Sequence, residues 1–110
     1  MIRRTIEEIE AKLGAVTDLP EEKRQELLRL LTTLKAEIGE FSKTHAEAAE
    51  IIEGFTGLST KLATRAEKNP KLLKLTLEGL STSMAGFEES HPGLVKIVNS
   101  ICTTLSNLGI

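Results

Sequence analysis

Two stretches of this 110-residue chain, FSKTH at residues 41–45 and FEESH at residues 87–91, contain its only two histidines. Each runs Phe, two polar residues, a hydroxyl residue and His, and the second copy lies 46 positions after the first. Three chemistries fit such a pair. The first is a metal centre: Glu88-x-x-His91 has the spacing of a ligand pair in carboxylate-bridged di-iron bundles. Ser42 stands where the first copy would need the matching Glu. His45 and His91 alone fall short of the four ligands of structural zinc, although a dimer would supply four imidazoles. The second is a proton switch, in which facing imidazoles repel once both are charged near about pH 6. The third is helix punctuation. Thr44 with Glu47 matches a capping box, and Ser90 precedes a helix started by Pro92. In both copies the Phe lies one turn earlier, where it can cover the joint.

Other chemistry is excluded more directly. Fourteen basic and sixteen acidic residues leave a net charge of −2, without the concentrated basic face that phosphate-backbone binding needs. The densest cluster, Lys68, Lys71 and Lys74, reads as a solvated helix start. Three Phe with no Tyr or Trp do not make a stacking platform for single-stranded nucleic acid. GFTG at 54–57 has the form of an RNA-clamping loop but lies inside a helical pattern. No nucleophile elbow is present, so no catalytic residue and no cofactor are expected. The single Cys102 cannot form an intramolecular disulfide, and its apolar neighbours predict a buried, unreactive thiol. No signal peptide or membrane-length apolar run is found, so the expected compartment is the cytoplasm.

The elements that carry these residues read as helices throughout. Pro20 and Pro70 mark helix starts, the latter with Asn69 as N-cap, and Pro92 marks a third. From Leu27 a 4-3 alternation runs through Leu31, Leu34, Ile38, Phe41, His45, Ala48, Ile52, Phe55, Ser59 and Leu62. A second runs from Leu73 through Leu77, Leu80, Met84, Phe87, His91, Leu94, Val98, Ile101, Leu105 and Leu108. Such series have the length of a coiled-coil seam. A shorter one (Ile2, Ile6, Ile9, Leu13) opens the chain. The spacing predicts helices over about 2–14, 20–66, 70–89 and 93–108 in a single domain, 1–110. The fold class is all-α: an elongated antiparallel hairpin with coiled-coil-like heptad seams plus a short N-terminal helix. The two arms repeat at the same offset. In a hairpin turning near residue 68, facing positions have numbers summing to about 135. His45 and His91 meet that condition to within one.

The segments FSKTHAEAAE, EKNPKLLKLTLEGL, FEESHP and ICTTLSNLGI resemble a family of short bacterial proteins. It is catalogued as a domain of unknown function, number forty-four zero four. The resemblance implies no established activity and supplies no site residues. Some relatives carry a chromosome-partitioning label, but no G-x-x-x-x-G-K-[ST] loop is present here to cradle phosphates.

Apolar residues beside the seams (Leu28, Leu30, Ile51, Leu58, Leu72, Leu75, Val95, Ile97) widen the stripe beyond what one hairpin covers. Dimerisation into a four-helix bundle would bury them, and packing by the first helix is the rival solution. The expected function is a non-enzymatic helical interaction or oligomerisation protein whose partner is a second copy or another protein. A small metal- or pH-responsive bundle acting through His45 and His91 is the alternative.

Overall fold

The computed structural model describes residues 2–14 and 19–109, with side chains from Ile6 onward; Ile2, the first member of the opening series, lies outside that side-chain set. Five helices follow one another: α1 (Ile2–Gly14), α2 (Glu21–Phe41), α3 (Ala46–Thr64), α4 (Pro70–Thr82) and α5 (Pro92–Gly109), with no strand among the described residues. Their starts follow local chemistry. The Asn69 side chain accepts a hydrogen bond from the Leu72 N–H at 3.1 Å, with Pro70 in the first turn, a cap worth about 1 kcal/mol. Glu21 and Glu22 occupy the first turn of α2, where the helix dipole favours negative charge.

The long helix expected over 20–66 is instead two helices, broken at residues 42–45. The return helix expected over 70–89 ends at Thr82, followed by turns through Gly86 at φ +94°. A residue with a Cβ is disfavoured at that angle. Both arms therefore bend, and they bend at the same level. The chain is folded in two rather than extended. A continuous helix over 20–66 would span roughly 70 Å, yet the longest dimension is 38 Å and the radius of gyration 13.0 Å. The elongated shape is thus corrected. Heptad spacing does not register a break that keeps the same face inward.

Folding in two produces an up-down-up-down order within one chain. Helices α3 and α4 form an antiparallel pair around residues 65–69, α2 packs on α5, and α5 also contacts α4 and α3. The Ser59 hydroxyl donates to Thr76 Oγ1 at 2.9 Å and Thr76 donates to the Leu73 carbonyl at 2.9 Å. These buried bonds fix the register of the α3–α4 pair. Helices α2 and α3 barely meet, and α1 fills the space by packing on both. Ile6, Ile9 and Leu13 are buried there, and Glu10 of α1 accepts from Thr32 Oγ1 at 3.0 Å and Lys35 Nζ at 3.1 Å on α2. The first helix thus covers part of the apolar stripe, while Ile51, Leu58, Leu72 and Leu75 stay exposed. Every member of the two long heptad series is buried or half-buried. They form the core of a bent bundle, not the seam of two continuous helices.

Candidate functional site

Both bends lie at one end of the bundle, where Phe41, His45, Phe87 and His91 converge. Phe41 is the last residue of α2 and 1% exposed. The His45 ring stacks on it at 4.7 Å between centroids, 7° from parallel. The Phe87 and His91 rings meet Phe41 edge-on, each at 4.9 Å. His45 meets Phe87 at 5.2 Å and His91 at 5.3 Å, both nearly perpendicular. Edge-to-face geometry sets the positive ring edge against a π face. The four rings thus lock the two bends to each other, and the two histidines meet there.

The hydroxyl residues play a different part from the one expected. Thr44 does not cap α3. The N-cap position is His45, with no side-chain capping bond. Thr44 Oγ1 instead lies 2.8 Å from His45 Nδ1, and Ser90 Oγ lies 3.0 Å from His91 Nδ1. In each copy the hydroxyl holds the adjacent imidazole by one ring nitrogen and so orients it toward the other three rings. A capping box needs the hydroxyl to turn toward the helix N–H groups, whereas here it turns to the ring.

Glu88, the carboxylate of the metal reading, accepts from the Gly86 N–H at 2.9 and 3.2 Å. It thereby closes its own turn. Among the described residues no group of three or more His, Cys, Asp or Glu side chains is placed to hold a metal ion. Lys68, Lys71 and Lys74 are exposed, and Lys68 Nζ donates to the Ala63 carbonyl at the end of α3, as cations at helix C-termini do. The GFTG segment is wholly helical within α3. Spacing alone did not mark a groove between α1 and α3, lined in part by Lys12, Gly57, Lys61 and Arg65. Its one sequence signal is Gly57, an unusual residue for a helix interior.

Cys102 is half-buried on α5, with Sγ 4.0 Å from the Leu77 carbonyl of α4. Desolvation by burial pushes its thiol up to about 11. At neutral pH the nucleophilic thiolate is therefore scarce, and alkylation by iodoacetamide should be slow until the protein unfolds. The linkage has a definite sign. An unfolded thiol ionises near about 8.5, while the folded one keeps its proton to about 11. Between these values the unfolded chain binds fewer protons, so stability falls as pH rises. Cys102→Ser should remove that component of the alkaline loss in urea titrations, and identical alkaline slopes would contradict it.

An all-helical bundle with a twofold-repeated aromatic–histidine bend is the class of protein that the fold and the ring cluster define. A family model described as Domain of unknown function (DUF4404) matches residues 56–110, half of the chain. The chain belongs to that family. The matched part runs from the middle of α3 through α4 and the His91 bend to the end of α5. Comparison with curated proteins and with solved structures gave no match. Among the described residues no helix is long and apolar enough to cross a membrane.

Proposed function

We propose that this is a non-enzymatic interaction protein that self-associates through the outer face of the α3–α4 pair. One observation carries the reading. The large apolar side chains left exposed among the described residues are Ile51 (46%) and Leu58 (44%) on α3, and Leu72 (39%) and Leu75 (57%) on α4. The Ser59–Thr76 register sets Leu58 near the level of Leu72 and Leu75, so these aliphatics share one face with half-buried Phe55. A concentrated apolar patch is characteristic of an interaction site.

Charge favours a second copy as the occupant. The turn end of the α3–α4 pair carries exposed Lys61, Arg65, Lys68 and Lys71 against one exposed carboxylate, Glu67. The bend end carries exposed Glu47, Glu50, Glu88 and Glu89. A twofold contact with the copies antiparallel sets each basic end against an acidic one. Sedimentation equilibrium should show a dimer that Leu72→Lys with Leu75→Lys converts to monomer. Those exposed sites should change folding stability by only about 0.5 kcal/mol. A wild-type monomer at high concentration would refute the reading.

The 5.3 Å contact between the imidazoles favours one second reading, a bundle that responds to protons or metal through His45 and His91. Two imidazolium charges at that separation repel. The wild type should then lose more thermal stability on mild acidification than His45→Asn/His91→Asn, or gain stability with zinc when no purification tag is present. Equal losses with no zinc effect leave the motif as a bend lock alone.

A further inference from the structure

The groove between α1 and α3 has a volume of about 400 Å³, within the ~300–1,000 Å³ range of small-molecule sites. Its floor is aliphatic: Ile9 and Leu13 from α1, Gly57 and Leu58 from α3. Gly57 keeps the floor open, since a Cβ there would already lie 3.4 Å from Ile9 Cδ1. The threonines along the wall offer little to a ligand, because Thr60 and Thr64 each donate to a carbonyl of α3 itself at 2.7 Å. Polar recognition therefore falls to the charged rim. Three cations line it, Lys12, Lys61 and Arg65, against one carboxylate, Glu8. Arg65 is steadied by its Nε–H, which donates to the Glu67 carbonyl at 2.8 Å.

We infer that this groove binds a free, single-chain aliphatic carboxylate, with the chain along the Ile9–Leu13–Gly57–Leu58 floor and the carboxylate at the Lys12–Lys61–Arg65 rim. The net positive rim selects an anion, and charge-assisted bonds from Lys and Arg supply the orientation. No ring lines the groove, so a stacked base or aromatic acid finds no partner face there. The groove meets the α3–α4 face at Leu58, which belongs to both, whereas Ile51, Leu72 and Leu75 lie outside the groove.

Titrating the full chain with dodecanoate below its micelle concentration, followed by amide chemical shifts, tests the inference. The largest shifts are expected at Ile9, Leu13, Gly57 and Leu58. Lys61→Glu with Arg65→Glu should weaken dodecanoate binding about tenfold or more. The same pair should leave dodecanol, the neutral analogue, nearly unaffected. Gly57→Leu should block both ligands. If that variant fails to fold, the exposed charge reversals still decide the matter. Any of four results overturns the inference: no binding up to about 1 mM, equal binding of dodecylamine, shifts confined to Ile51, Leu72 and Leu75, or binding only to anionic phospholipid vesicles.

Discussion

Phe41→Ala is expected to lower the unfolding free energy by about 3–5 kcal/mol, the range for truncating a buried aromatic. The side chain is 1% exposed and contacts all three other rings of the cluster, at 4.7 to 4.9 Å. Its removal leaves a cavity where both arms bend, and the rings that line it have lost their common partner. Phe87→Ala should cost less, because Phe87 is half-buried and belongs to a turn rather than a helix. Urea titrations with unchanged m-values would measure both. A Phe41 loss under about 1 kcal/mol would show that the ring cluster lies outside the cooperative core.

The second large effect separates two residues that the repeat makes equivalent. Ile97→Ala should destabilise by about 2–5 kcal/mol, since Ile97 is 9% exposed on α5. Ile51→Ala, at the same repeat position on α3 and 46% exposed, should change stability by about 0.5 kcal/mol or less. Its effect belongs in the self-association constant instead. Comparable folding losses at both positions would mean that the outer face of α3 is buried within the monomer, and the docking surface would then be lost.

The helix starts were legible because their causes are local. Pro70 presets its own φ, Asn69 reaches an N–H three residues on, and Pro92 excludes helix from the residue before it. The inward face was legible for a similar reason. A side chain's position around a helix follows from its number, so the positions from Leu27 to Leu62 and from Leu73 to Leu108 had to share a side. The repeat and the single turn between its copies then brought His45 opposite His91. The bends were marked less clearly. Thr44 and Ser90 carry the hydroxyl of a cap, yet both hold an imidazole nitrogen. The choice between backbone N–H and ring depends on where the ring is held, and Phe41 from the end of α2 decides that.

By itself, then, the sequence determined an all-helical chain, most of its helix starts, its core-facing positions and the pairing of its two histidines. All of these follow from short-range sterics and helical periodicity. Only the tertiary structure decided that both arms fold in two and that α1 fills the space between α2 and α3. It also decided that Ile51 and Leu58 stay exposed while Ile97 and Thr104, their repeat equivalents, are buried. The physical reason is that periodicity assigns a side chain to a face but not a neighbour to that face. Helix α3 packs on at least as many helices as α5, yet its side carrying Ile51 and Leu58 stays exposed, whereas the equivalent side of α5 is covered. Which face remains open depends on contacts between segments far apart in the chain.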